Sequence, residues 1–202
     1  MDQATRKLKQ RERILDAATQ LFARQGYRGT STREIARLAD VAENTLFRYF
    51  EQKEELFWAT LRARLGEFDL RKRLRESLAE EKEPGIVLPQ LLDQLLDTAT
   101  LNPELLRLIM VALIESRGKT AAVLKEYLAP AIARIHQYLA AHIARGKLRP
   151  VDPWSITTAL IATSIMQVEL ADLIGDAAVP LADRKAMARE QARFWIELLE
   201  MR

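Results

Sequence analysis

The stretch from Gly26 to Leu56, GYRGTSTREIARLADVAENTLFRYFEQKEEL, constrains this chain more than any other. Ser31-Thr32-Arg33-Glu34 has capping-box form. Ser31 can accept from the amide three residues on, and Glu34 can reach back to the amide of Ser31. A helix therefore begins at about Thr32, with Ile35, Ala36, Leu38 and Ala39 directed inward. Asp40 falls where the chain must turn, and Asp tolerates the left-handed conformation better than most residues. Val41 is an apolar plug, and a second helix runs from about Glu43 to Phe50. Leu46 and Phe50, one turn apart, share a face that must be buried. Asn44, Thr45, Arg48 and Tyr49 are left on the open side, where donor-rich side chains suit base edges and phosphates. Helical pattern alone describes an amphipathic hairpin with an ordinary polar face equally well.

More than periodicity is present. Gly26, Gly29-Thr30-Ser31-Thr32, Ile35-Ala36, Ala39-Asp40-Val41, Thr45-Leu46-Phe47-Arg48-Tyr49-Phe50 and Lys53-Glu54-Glu55-Leu56 resemble, in register, the DNA-binding domain of the TetR (tetracycline-repressor) family. The resemblance covers the first third of the chain. It implies an all-α protein of about nine helices. A three-helix helix-turn-helix domain over 1–53 would be followed by a helical effector-binding and dimerisation bundle over 54–202. It also implies that Thr32, Tyr49 and Lys53 hold phosphate, that Arg33, Asn44, Thr45 and Arg48 reach base edges, and that Phe47 faces DNA. Three departures stand out. Asp40 occupies a usual Gly position. Ala42 replaces a Ser cap, at a local cost of about 0.5–2 kcal/mol. Phe47 replaces Tyr and so lacks one hydroxyl contact.

Charge agrees with that reading. Residues 1–53 carry 11 Lys/Arg and 7 Asp/Glu, while the whole chain of 202 residues has a net charge of +3. The positive excess coincides with the helix-turn-helix, as phosphate binding requires. Arg6, Lys7, Lys9, Arg11 and Arg13 are expected to form an N-terminal arm near the DNA backbone. The absence of Cys rules out disulfides and thiolate metal sites and fits a reducing cytosol, so a cytoplasmic location is expected. The N-terminus is charged and lacks a signal-peptide core.

Downstream, a helix over about 6–25 carries the stripe Ile14, Ala18, Leu21 and Phe22 and ends at Gly26. A fourth helix runs from Lys53 to about Glu80, and Pro84-Gly85 breaks the chain. Further helices are expected at about 86–100, 103–116, 120–145, 153–174 and 181–201, with Pro130 kinking the third of these. Residues 156–174 are apolar almost all round, but Gln167, Glu169 and Asp172 argue against a membrane span. The last two helices carry more apolar surface than one core contact needs. A two-fold dimer is therefore expected through Ile161, Ile165, Val168, Ala188, Ala192, Trp195 and Leu199, with Met187/Phe194/Leu198 as an adjacent stripe. The family resemblance also implies an apolar effector pocket, for which Phe68, Met110, Tyr127, His136, Thr163, Met166 and Gln167 are the candidates.

The expected function is a one-component transcriptional regulator, most simply a ligand-responsive repressor. It would bind a palindromic double-stranded DNA operator as a homodimer, with no metal and no cofactor. Two alternatives are a constitutive DNA binder without effector and a helical enzyme with a vestigial DNA-binding end. No nucleophile–base pairing, phosphate loop or paired catalytic carboxylates in the sequence support the enzyme.

Overall fold

The computed structural model describes residues 3–67, 74, 78, 82–174 and 184–199, apart from the side chains of 98, 99, 101, 170–174, 184, 185 and 188. These residues form ten helices and no strand. In chain order they are α1 Gln3–Gly29, α2 Thr32–Leu38, α3 Glu43–Tyr49, α4 Lys53–Glu67, α5 Pro84–Leu101, α6 Pro103–Glu115, α7 Arg117–Tyr127, α8 Ala129–Ala144, α9 Pro153–Ile174 and α10 Arg184–Leu199. The tenth helix arises at Pro130. Instead of kinking one long helix, that proline sits in the first turn of α8, behind a break at Leu128. A missing amide is harmless there, because first-turn amides have no helical acceptor. Pro84 likewise opens α5 rather than breaking the chain. The segment expected to extend the fourth helix from 68 to 80 lies outside the described residues, Leu74 and Leu78 excepted.

By internal packing the chain divides into two units, Met1–Phe68 with Pro103–Tyr127, and Asp69–Asn102 with Leu128–Arg202. The first contains α1–α4, α6 and α7. Its centre is α1, which packs against α2, α4 and α6. Ile14, Leu15, Ala18 and Phe22 of α1 are buried. Leu21, expected in the same stripe, is only half-buried. Phe22 meets Phe57 of α4 edge to face at 5.0 Å, and Tyr27 stands 5.2 Å from Phe57. Such aromatic side chains contribute about 1.5–3 kcal/mol each on full burial. Gly26 does not end α1 but breaks it. Its φ of 74° lies in the left-handed region, after which the helix resumes to Gly29. The Thr30 hydroxyl, within 3.1 Å of the Leu21 carbonyl and 2.8 Å of the Gly26 carbonyl, ties the following loop back onto the break.

Arg64 of α4 fastens α4 to α1. Its guanidinium donates to Glu12 at 2.7 Å, Asp16 at 2.9 Å and Glu67 at 2.6 Å, and its Nε donates to the Thr19 hydroxyl at 3.1 Å. Burial alone would lower the pKa of this side chain, but the hydrogen bonds to Glu12 and Glu67 outweigh it, so the pKa is raised and the charge is secure.

The second unit contains α5 and α8–α10. Both α9 and α10 pack on α5, and α9 also packs on α8. The α5 residues Val87, Leu88, Leu91 and Leu92 are buried at its centre. Tyr138 is buried and donates to the Lys82 carbonyl at 2.8 Å. Burial first, and then the Glu83 carboxylate, push the Tyr138 phenol well above its ordinary value. His142 is fully buried beside Tyr138, and His136 stacks on Trp154 at 4.1 Å.

The apolar surplus of the last two helices is distributed differently from expectation. Ala192, Trp195, Leu199 and Val168 are buried inside the unit. Phe194 and Leu198 on α10, and Met166 on α9, are exposed instead. Of the two adjacent stripes on α10, the core takes the one expected at a subunit interface. Ile161 and Ile165 are half-buried, and the Ala188 side chain lies outside the described residues.

Candidate nucleic-acid interface

The helix-turn-helix is assembled from local signals. Both arms of the capping box form: the Ser31 hydroxyl accepts from the Glu34 amide at 3.2 Å, and Glu34 accepts from the Ser31 amide at 2.9 Å. The Ser31 hydrogen bonds hold the Glu34 carboxyl below its ordinary value. At the other end of α2, Asp40 adopts φ 52°, the one non-glycine residue with positive φ among the described residues. The Asp40 amide donates to Arg37 at 3.2 Å and the Val41 amide to Ala36 at 2.9 Å. This pair of bonds is the Schellman closure, with Asp in the place glycine usually takes and Val41 turned back over Ala36.

Arg13 of α1 completes the turn. Its guanidinium donates to the Ala39 carbonyl, to the Asp40 carbonyl at 2.9 Å and to the Asp40 carboxylate at 2.9 Å. The last carbonyls of a helix lack helical donors, so a cation there serves both as hydrogen-bond partner and as countercharge. Sequence reasoning placed Arg13 only in a basic arm. Its partners lie 26 and 27 residues away, beyond any local rule.

Ile35, Ala36, Ala39, Leu46 and Phe50 are buried as expected. Leu38 is not; it remains 50% exposed. At about 100° per residue, positions 35, 36 and 39 span one arc of a helix and position 38 lies outside it. A seven-residue helix has room for only that one stripe. Ala42 precedes α3 with no side-chain cap, as its identity requires.

Arg33, Asn44, Phe47 and Arg48 are exposed, and Thr45 is half-exposed. The three residues expected on phosphates each make a hydrogen bond within the protein. The Thr32 hydroxyl donates to Glu43 at 2.7 Å. The Tyr49 hydroxyl lies 3.1 Å from Gln10 Oε1 and 3.4 Å from the Lys7 carbonyl. Lys53 donates to the Thr30 carbonyl at 2.9 Å, with its ammonium 4.3 Å from the centre of the Tyr27 ring. Glu43, in the first turn of α3, is the residue the sequence reading passed over. Its carboxylate accepts from the Thr32 hydroxyl and so ties the start of α3 to the start of α2. The only sequence signal was an acid in the first turn of a helix otherwise lined with donors.

The expected arm is helical from Gln3, so Arg6, Lys7, Lys9, Arg11 and Arg13 project from α1 itself. The Tyr49 hydroxyl brings the start of α1 beside the end of α3.

The residues expected to line an effector pocket fall in both units. Met110 and Tyr127 belong to the first unit, whereas His136, Thr163, Met166 and Gln167 belong to the second. Met110, Thr163 and Met166 are exposed, and Phe68 lies outside the described residues. His136 Nδ1 and Gln167 Oε1 are buried without a hydrogen-bond partner among the described residues. Among those residues no cluster of three His, Asp or Glu could hold a metal, and no helix is long and apolar enough to cross a membrane.

Residues 14–60 match the profile of bacterial regulatory proteins of the tetR family. The chain is 31% identical over 160 residues to the HTH-type transcriptional regulator AcrR of Shigella flexneri, a match spanning 75% of this chain and 72% of that protein. Identity rises to 54% over 50 residues with the HTH-type transcriptional regulator YvkB of Bacillus subtilis, covering 25% of this chain and 26% of that one. The crystal structure of the transcriptional regulator FadR from Bacillus subtilis in complex with stearoyl-CoA superposes with a TM-score of 0.68 at 21% identity, covering 93% of this chain and 98% of that one.

Proposed function

The chain belongs to the tetR family of bacterial regulatory proteins and is a DNA-binding transcriptional regulator; from that premise we propose that it is a ligand-responsive repressor binding a palindromic operator as a homodimer. Residues 1–53 are the DNA-reading part and 54–202 the part that dimerises and takes up the effector. The observation that carries the reading is the closed helix-turn-helix, which presents Arg33, Asn44 and Arg48 on an open face over a buried Leu46 and Phe50. Thr45 and Phe47 complete that face, and Thr32, Tyr49 and Lys53 flank it as phosphate contacts.

The two-fold interface proposed is the exposed face of α9 and α10, Met166, Phe194 and Leu198, with Ile161 and Ile165 at its edge. Phe194 and Leu198, one turn apart on α10, and Met166 on α9 are large exposed apolar side chains of the kind a second copy would cover. That FadR was crystallised with stearoyl-CoA supports a small-molecule effector with apolar character. An effector acts only through a different affinity for the DNA-competent and incompetent states.

The test is a footprint on the DNA upstream of the chain's own gene. Two protected half-sites about 34–36 Å apart, or a multiple of that, are expected. Lys53→Ala should weaken all sequences alike and lower the salt slope by about one. Arg48→Ala should cost about 1–3 kcal/mol on the preferred site alone. Protection without two-fold symmetry, or equal loss on random DNA after the Arg48 change, overturns the assignment.

A further inference from the structure

We propose that the cleft between α1, α4 and α7 is a binding site for a small aromatic carboxylate. This rests on the ligand-responsive reading above and gives it a place and a chemistry. The cleft has a volume of about 820 Å3, within the range of sites that hold small molecules. Its walls are apolar: Trp58, Ala59 and Ala63 on α4, and Ala122, Val123 and Tyr127 on α7. Trp58 and Val123 are buried beneath it. Tyr127 packs closely on Gly66, where an added Cβ would stand 3.6 Å from the ring.

The charges at its mouth are unbalanced. Arg11, Arg62 and Lys119 line it against one acid, Glu55. Lys119 is already paired with Glu54. Glu55 accepts from the Glu51 amide at 2.7 Å, closing the first turn of α4. Arg11 lies 5.5 Å over the Phe50 ring, which leaves the edge of its guanidinium available. Neither Arg11 nor Arg62 has a carboxylate partner among the described residues. A guanidinium is a planar fork suited to a carboxylate, so a ligand with one acid group and a flat apolar body satisfies both mouth and walls. Such a ligand would wedge α7 against α4 and α1, the two helices that Arg64 fastens together and that flank α3.

The test is calorimetry on the full chain with 2-naphthoate and its neutral amide, 2-naphthamide. Naphthoate should bind at least about tenfold more tightly than the amide, because only the carboxylate makes a charge-assisted, bidentate pair with a guanidinium. Arg62→Gln should erase that preference while leaving DNA binding intact. Ala63→Trp should fill the cleft and abolish binding of both compounds; Ala122→Trp fills it from α7 if the first variant does not fold. No heat with naphthoate up to about 1 mM, a Kd in the non-specific range, overturns the site. So does binding that survives both Arg62→Gln and a tryptophan plug. A gel shift on the same samples separates the two claims. Naphthoate binding without any DNA binding leaves the cleft standing and removes the repressor, and DNA binding without naphthoate binding does the reverse.

Discussion

Removing Arg13 should loosen the helix-turn-helix far more than removing the acid it pairs with. The Arg13 guanidinium makes three contacts at the turn, two to backbone carbonyls and one to the Asp40 carboxylate. The carboxylate is 95% exposed and the arginine side chain 49% exposed, so their ion pair is worth about 0–1 kcal/mol. The carbonyls close α2 and have no helical donor. A charge-assisted hydrogen bond contributes about 1.5–3 kcal/mol when desolvated. With half the arginine in water, about 1–2 kcal/mol is a reasonable total for Arg13→Ala.

Asp40→Gly loses the weak pair but relieves a left-handed residue, a conformation that costs about 1–2 kcal/mol for an ordinary side chain. Against that stands the entropy of glycine, about 0.5–1 kcal/mol. The net should lie within about 0.5 kcal/mol of zero. Asp40→Ala gains no relief and should cost about 1 kcal/mol. Hydrogen exchange across residues 32–50 reads the opening of this segment directly. Arg13→Ala should speed exchange about 5–30-fold, and Asp40→Gly should barely move it. Equal acceleration by both would refute the argument, since it would place the stabilisation in the carboxylate rather than the carbonyls.

Three further outcomes follow from the same geometry. The Glu34 carboxyl titrates below its ordinary 4.5 in the folded state, so the stability it adds is complete above that value and is lost as pH falls through the lower folded one; acid-induced exchange in α2 should show this loss, and Ser31→Ala should reduce the pH dependence but not remove it, because the amide of residue 31 still donates to Glu34. Gln10→Ala leaves the Tyr49 hydroxyl only the longer contact to the Lys7 carbonyl, so DNA affinity should hold or rise, whereas Tyr49→Phe should lower it by about tenfold or more, one hydrogen bond to a charged phosphate; parallel losses in a titration would mean the hydroxyl serves the fold and not the phosphate. Phe194→Glu and Leu198→Glu should yield folded monomers by sedimentation, while Trp195→Glu, at a buried position, should unfold the second unit because an unpaired buried charge costs several kcal/mol; a folded dimer from all three would reject the proposed face.

What could be read from the sequence was local. The Ser31–Glu34 box, the turn at Asp40 and the buried pair Leu46 and Phe50 each depend on residues within one or two turns, and the structure reproduces them. The all-α class followed from the family resemblance carried by the same segment. Features that depend on distant partners were not legible. Arg13 meets its carbonyls 26 and 27 residues away, and Tyr49 meets Gln10 across 39. On α10 both stripes are apolar, and only the position of α5 decides that Trp195 rather than Phe194 enters the core. Pro130 was correctly seen as a disruption, but whether a proline bends a helix or starts one depends on Leu128 before it. The cleft formed where α7 meets α4 and α1, with Arg62 and Trp58 in its lining, also depends on how distant helices pair and left no local signal.

Arg64 has a consequence for how this chain can drift. One largely buried guanidinium serves three acids on two helices, Glu12 and Asp16 of α1 and Glu67 of its own helix. The arrangement is redundant in one direction only. Loss of any single acid leaves two others in place, so neutral substitutions at Glu12, Asp16 and Glu67 are buffered one at a time. Loss of the arginine strands three like charges around a site with no cation, and lysine, with no planar fork, cannot reach all of them at once. Lineages descending from this chain should therefore wander among the acids while the hub between them stays fixed.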